Sequence, residues 1–150
     1  DFDYVNNAAL DYAKTYRYDL IKGITETTRT QTQKAISDWI ASGQPLSTLE
    51  TQLAPIYGEV RAGMIAASET TRIYAEANAQ AWQSTGVVDS VQFNTAEDDR
   101  VCPLCSPLDG QEFDLDDYGH KPPIHVSCRC WNSPVVSEEA FANKLEEILG

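Results

Sequence analysis

Apolar residues in the N-terminal part of the chain recur with the period of amphipathic helices. Over residues 3–22 they fall every four positions, which places them along one helix face: Tyr4, Ala8, Tyr12, Tyr16 and Leu20. A second helix is predicted over about 27–41, because Gly43 and Pro45 follow it as stop signals. The chain therefore begins with at least two helices, and we expect the aromatic residues of the first to serve helix packing.

Two more helices are expected before residue 87. Ser47 and Glu50 have the spacing of a capping box, so a third helix should begin there. Pro55 should interrupt that helix or start a new turn, since proline lacks the backbone N–H that a helix interior uses. The longest helix is predicted over about 58–84, where Gly86 follows it.

The pattern changes to that of short strands at Val87. Residues 87–93 are rich in β-branched and aromatic side chains, which favours a strand. The dipeptide Asp109-Gly110 predicts a turn ahead of a short strand at 112–113, and an irregular loop is expected over 114–123. A closing strand is predicted over 130–136, before a last helix that begins at Ser137.

Charge narrows the classes of partner. The chain has 150 residues, enough for one domain, and a formal net charge of −12 with a pI of about 4.4. Proteins that bind nucleic acids neutralise phosphates with Lys and Arg, so an acidic chain without a basic cluster is a poor candidate for that role. We find no apolar run of about 18 residues, so no membrane association is expected. Because the chain opens at Asp1 without a methionine, we interpret it as a piece of something longer.

The four cysteines fall in two tight pairs, which is typical of metal ligation. Cys102 and Cys105 form a C-x2-C pair, and nineteen residues separate Cys105 from an H-x2-C-x-C cluster made by His125, Cys128 and Cys130. A hairpin of that length can return the second cluster to the first. Zinc takes four such donors in a tetrahedron. Five candidates for four places predict one structural zinc per chain, because a catalytic zinc keeps a position open for water.

The identity of the fourth ligand stays open between Cys128 and Cys130. Our order of preference is Cys102, Cys105, His125 and Cys128, with Cys130 close behind because residues i and i+2 of a strand point the same way. A disulfide between the two pairs is the alternative for an oxidising compartment. A redox C-x-x-C motif is disfavoured by Pro103 and Pro107. The H-x-E motif of zinc deaminases is absent, since neither His120 nor His125 has a Glu two residues later.

Three segments carry a resemblance to a known family. Residues 98–110 (DDRVCPLCSPLDG) and 122–130 (PPIHVSCRC), with 67–72 (ASETTR) and Asn78 upstream, resemble the phage Mu F-like family of minor head proteins, also called phage head morphogenesis proteins. The similarity covers about 64–134 and implies a virion component that is assembled in a bacterial cytoplasm. It also implies portal and capsid proteins as partners, a role in head assembly and DNA packaging or delivery, and at most weak contact with packaged DNA. Some members of the family are fused to toxin domains, so the chain could be a delivery module cut from such a fusion.

Glu69 and Arg72 are three residues apart and can pair along one helix face. The resemblance raises a second expectation, that they brace the β-rich part by bonding Asp98 or Asp99. Asp114, Asp116 and Asp117 are expected in a solvated loop, and His120 in an exposed one.

The sequence as a whole predicts an α+β protein in one structural domain. It would comprise a helical portion over 1–86, a small zinc-centred β unit over 87–136 and a short C-terminal helix over 137–150. The favoured function is structural, with no catalytic residues. The alternative is a zinc-dependent hydrolase or nuclease in which Glu69, Asp98 or Asp99 acts as the base.

Overall fold

The computed structural model describes residues 2–99, 101–117, 120–125, 128 and 130–150. Four helices come first, followed by three strands and a last helix, in the order α1 (Phe2–Thr15), α2 (Glu26–Ser42), α3 (Leu46–Tyr57), α4 (Glu59–Thr85), β1 (Val88–Asn94), β2 (Glu112–Asp114), β3 (Trp131–Val136) and α5 (Glu138–Leu149). The architecture is α+β, as the sequence predicts. The division into three portions remains a prediction.

Helix α1 is shorter than its apolar pattern predicts. It ends at Thr15, and Tyr18 takes a left-handed conformation with φ of 56°. The hydroxyl of Tyr18, which is fully buried, donates a hydrogen bond of 2.9 Å to the carbonyl of Ala13. A left-handed backbone is costly for residues other than glycine. Burial of the Tyr18 side chain and its hydrogen bond to Ala13 offset this cost, and the chain therefore leaves the helix early.

The predicted face of α1 is also partly wrong. Tyr4 is 45% exposed and Leu20, which lies beyond the helix, is 55% exposed, whereas Ala9 and Ala13 are fully buried. Small alanines allow neighbouring helices to approach closely, and here they form the contact face. Tyr12 and Tyr16 do pack at the edge of the helical core, as expected.

The ends of α2 are confirmed, but the start of α3 is not. Gly43 closes α2 in a left-handed conformation with φ of 68°, which glycine adopts without steric cost. Helix α3 begins at Leu46 with Pro45 at its N-cap, so the Ser47–Glu50 capping box does not form. Pro55 lies inside α3 and does not interrupt it, and the helix ends two residues later at Tyr57.

The long helix α4 contacts helices α1 and α3 as well as strands β1 and β3. Buried residues on one of its faces pack with α1 and α3, among them Ala62, Ile65, Ala66 and Ile73. Gly86 ends it in a left-handed conformation. None of the described helices is long and apolar enough to cross a membrane.

The three strands form an antiparallel sheet in the order β2-β1-β3. Val91 of the central strand lies opposite Phe113 on one side and Pro134 on the other. Val91 and Phe93 are buried, and Phe93 belongs to a second apolar cluster, separate from that of the helices. This second cluster contains three of the four cysteines: Cys105, Cys128 and Cys130. These candidate ligands are therefore part of the small core of the sheet unit, which comprises β1, β2, β3 and the segments between them.

Candidate metal centre

The C-x2-C pair is held in a tight turn that follows β1. The backbone N–H groups of Cys105 and Ser106 each donate a hydrogen bond of 3.1 Å to the carbonyl of Cys102. Desolvation raises the pKa of the Cys102 thiol, but hydrogen bonds from the backbone N–H groups of Cys105 and Leu104 and from the Cys105 thiol outweigh it, so this pKa lies below its ordinary value. A lowered pKa favours the thiolate, which is the form that binds metal.

The second cluster lies against this turn. Nε2 of His125 lies 3.1 Å from Sγ of Cys105. The backbone N–H of Cys128 donates to the carbonyl of His125 at 3.3 Å, which closes a turn between these two candidate ligands. The structure therefore brings the two predicted halves of the site together.

The five candidate donors form two groups of three that share Cys105. The ligand atoms of Cys102, Cys105 and His125 lie within 4.8 Å of one another, and so do those of Cys105, Cys128 and Cys130. Atoms bound to one zinc at about 2.0 to 2.3 Å are separated by about 4 Å or less, so small shifts would suffice to place an ion. The donor set of thiols and an imidazole suits zinc by its chemistry.

Burial makes ionised thiols costly here unless a cation is present. Cys105 is fully buried, and Cys128 and Cys130 are 1% and 6% exposed. Burial raises the pKa of Cys105 far above its ordinary value, and burial together with the neighbouring Cys128 raises the pKa of Cys130 to about 11. All four cysteines carry free thiols. A bound divalent cation would supply the charge that stabilises these sulfurs as thiolates.

Asp109 fixes the hairpin that carries the pair of cysteines. Its Oδ1 accepts hydrogen bonds from the backbone N–H of Thr95 at 2.8 Å and from the Thr95 hydroxyl at 3.2 Å. The bond from the Thr95 backbone, with weaker help from the Thr95 hydroxyl, holds the pKa of this carboxyl below its ordinary value despite some desolvation. The Asp-Gly pattern predicts the turn, and Gly110 does take φ of 78°. It does not reveal that the aspartate also links back to the end of β1.

His120 lies in a loop and its side chain is 40% exposed, as expected, but it also makes two contacts that the sequence does not predict. Its ring stacks on Phe113 with centroids 4.0 Å apart, and its Nδ1 lies 3.0 Å from Oδ2 of Asp117. It therefore supports the loop before the His125 cluster from the side of β2. Asp114 closes β2, whereas Asp116 lies exposed in the loop as expected.

Polar contacts between described residues that are far apart in sequence attach the sheet unit to α4. The hydroxyl of Thr71 donates to the carbonyl of Cys128 at 3.2 Å. Nζ of Lys121 lies 3.0 Å from Oε2 of Glu76, with 12% and 22% of the two side chains exposed. Neither contact follows from local spacing. Each residue does carry a weaker signal in the sequence. Thr71 lies in the segment that resembles the family, and Lys121 is the cation at the end of an acidic loop.

Glu69 and Arg72 do pair, as one of the two expectations has it. Nε of Arg72 lies 3.3 Å from Oε2 of Glu69, and Glu69 is only 3% exposed. Burial raises the pKa of Glu69, and the opposing effect of Arg72 does not cancel it. Both residues line a cleft of about 430 Å³ with Ile124 and His125, so they face the loop that carries a candidate ligand. A bond to Asp98 or Asp99 remains a prediction.

Comparison with known protein families gives a match over most of the chain. The sequence model of the family described as Phage Mu protein F like protein matches residues 30–133. The matched range contains α3, α4, β1, β2 and all five candidate ligands. No curated protein and no solved structure matches the chain.

Proposed function

The chain belongs to the Phage Mu protein F like family, and from this premise we propose that it is a minor head protein that docks on portal and capsid proteins. The family is one of structural proteins associated with the phage head. In this proposal the protein is a component of the virion, is assembled in the host cytoplasm and supports head assembly with DNA packaging or delivery. Its net charge of −12 argues that any contact with packaged DNA is weak.

We further propose that one zinc ion per chain binds Cys102, Cys105, His125 and either Cys128 or Cys130. The observation that carries this proposal is the pair of three-residue groups that share the fully buried Cys105. Residues from two distant segments meet there, as they must if one ion is to join the hairpin after β1 to the loop before β3. A protein-filled tetrahedron would make the ion structural.

A structural ion also explains how so small a unit can be ordered. The three-stranded sheet buries few large apolar residues of its own, with Phe93 the largest that is fully buried. Small units of this kind depend on metal binding for their folding free energy. The docking surface would then depend on the metal indirectly, through the shape of the sheet unit and its seat on α4.

The alternative, a zinc-dependent hydrolase, is favoured by one observation. Glu69 is a buried carboxyl whose pKa is raised, and it lines the same cleft as His125. A catalytic reading would require three protein ligands, a zinc-bound water and a base such as Glu69 or Asp99. The five donors argue for the closed site.

Metal analysis, binding and activity together test the proposal. We expect close to one zinc per chain after purification without added metal, and binding to the portal protein of the same phage. Binding to the portal protein should be lost in Cys105→Ser. Ser106→Ala changes an exposed residue of the same turn and should retain this binding. Glu69→Gln and Asp99→Asn should fold with full zinc and have no nuclease or phosphatase activity to lose. Zinc-dependent cleavage by the wild type that either substitution abolishes would overturn the docking proposal.

A further inference from the structure

Helix α5 presents an apolar face that its own chain does not cover. Phe141, Leu145 and Ile148 lie at positions i, i+4 and i+7, on one side of the helix, and are 50%, 40% and 68% exposed. The structure describes α5 throughout, and it contains no buried residue. The helix is capped by Ser137, whose side chain accepts a hydrogen bond from the backbone N–H of Ala140, so it is a formed helix with an unused face.

A cleft elsewhere on the molecule has the complementary character. It is the cleft of about 430 Å³ that Glu69 and Arg72 line, and it lies between α4, the segment that follows α1 and the loop before His125. Ile21, Ile65 and Ile124 give it an apolar lining, and Leu20 and Met64, which are 55% and 42% exposed, extend that surface outward. Grooves of this kind receive amphipathic helices through side chains at i, i+4 and i+7.

The charges around the two surfaces are opposite. Lys22, Arg61 and Arg72 line the cleft, against one carboxylate, Glu69, although the chain as a whole carries −12. Helix α5 carries four glutamates and one lysine: Glu138, Glu139, Glu146, Glu147 and Lys144. Electrostatic complementarity of this kind favours one pairing over others and speeds encounter.

We propose that α5 of one copy of this chain docks in the cleft of a second copy, with Phe141, Leu145 and Ile148 as the buried contacts. These three side chains span about 10 Å of helix, which is a length that one cleft can receive. Two different surfaces meet in this contact, so it is heterologous: each copy that offers its helix still has an open cleft. Contacts of that type build rings or filaments of identical subunits.

Mixing two half-defective variants tests this arrangement. Leu145→Asp places a charge in the apolar face of α5 and leaves the cleft unchanged. Met64→Asp places a charge at the edge of the cleft and leaves α5 unchanged. Sedimentation of the zinc-loaded wild type should show a mass that rises with concentration and association that weakens with added salt. Each variant alone should lose association at least about tenfold. Their equimolar mixture should form a 1:1 heterodimer, because one intact helix and one intact cleft remain.

Matched controls separate this contact from general effects of added charge. Asn143→Asp adds a charge on the opposite side of α5. Val60→Asp adds one to α4 at a position that is 80% exposed and outside the cleft. Both should associate like the wild type. Ile148→Asp and Leu20→Asp form a second test pair if either first variant fails to fold by circular dichroism.

Three results would overturn the proposal. One is a wild type that stays monomeric at every concentration. Another is a Met64→Asp protein that associates normally while Leu145→Asp does not, which would indicate pairing of two α5 helices. The third is a mixture of folded variants that stays monomeric.

Discussion

Nε2 of His125 lies 3.1 Å from the sulfur of Cys105, although twenty positions separate the two residues in the chain. Cys105 is also the sulfur shared by both groups of candidate donors. It is fully buried, and it lies in the turn whose backbone hydrogen bonds fix Cys102. The candidate centre is therefore built around Cys105, and the candidate ligands should differ in how much their loss costs.

Cys105→Ser should weaken zinc binding more than Cys130→Ser. Structural zinc binds such sites with about 10 to 16 kcal/mol, so one of four ligands accounts for about 3 kcal/mol, or about a hundredfold in affinity. Loss of Cys130 should cost less, because Cys128 remains beside it as a donor. Competition with a chromophoric chelator measures both affinities, and Ser106→Ala is the control. Equal loss in the two cysteine variants would instead make Cys130 an irreplaceable ligand.

Removal of the metal should unfold the sheet unit and leave the helices folded. The helical core, with Ile36, Leu49 and Ile73, is separate from the cluster around Phe93 and the cysteines. Only the latter would lose its cross-link on chelation. Hydrogen exchange after chelation should show loss of protection over about 93–134 and retained protection in α2, α3 and α4. Far-UV circular dichroism that collapsed completely would contradict this division.

Local chemistry explains which parts of the fold the sequence reveals. Gly43 and Gly86 mark helix ends because a left-handed residue is required there, and glycine adopts it freely. The end of α1 is different. It depends on Tyr18, whose buried hydroxyl bonds to Ala13, and burial of that kind is a tertiary event. Ser47 and Glu50 have the spacing of a capping box, but α3 begins before Ser47, with Pro45 at its N-cap.

The candidate site divides in the same way. The donor residues can be predicted because C-x2-C and H-x2-C-x-C are local spacings that zinc requires. The central position of Cys105 cannot, since it depends on how the loop before β3 returns. The same holds for the stacking of His120 on Phe113 and for the bond from Thr71 to Cys128, which join segments far apart in sequence.

Lys121→Met should loosen the attachment of the sheet unit to α4. The ammonium of Lys121 lies 3.0 Å from Glu76 in a largely buried setting, so its loss leaves a carboxylate with less compensation. We expect a cost of about 1 to 3 kcal/mol, discounted for the exposed part of the pair. Lys34→Met is the matched control, because Lys34 pairs with Asp38 on the surface, where such pairs contribute about 0.5 kcal/mol or less. Denaturant unfolding of the zinc-loaded proteins compares the two, and equal costs would contradict a role for Lys121 in docking.

Glu69→Gln should change how stability depends on pH. Burial raises the pKa of Glu69 in the folded protein above its ordinary value of 4.5. In the window between these two values the folded state holds the proton and the unfolded state has released it, so the wild type loses stability as pH rises through the window. Glutamine has no proton to release there, and its side-chain oxygen can still accept from Arg72.

The free energy of unfolding of Glu69→Gln relative to the wild type should therefore rise as pH increases above 4.5 and level off once Glu69 is ionised in the folded protein. Both proteins carry the same zinc ligands, so the pH dependence of metal binding cancels in the difference. Urea unfolding at a series of pH values, with zinc saturating, provides the measurement. A constant difference would mean that Glu69 ionises equally in both states. A difference that falls with rising pH would mean that the ion pair with Arg72 outweighs burial and that the carboxylate stabilises the fold.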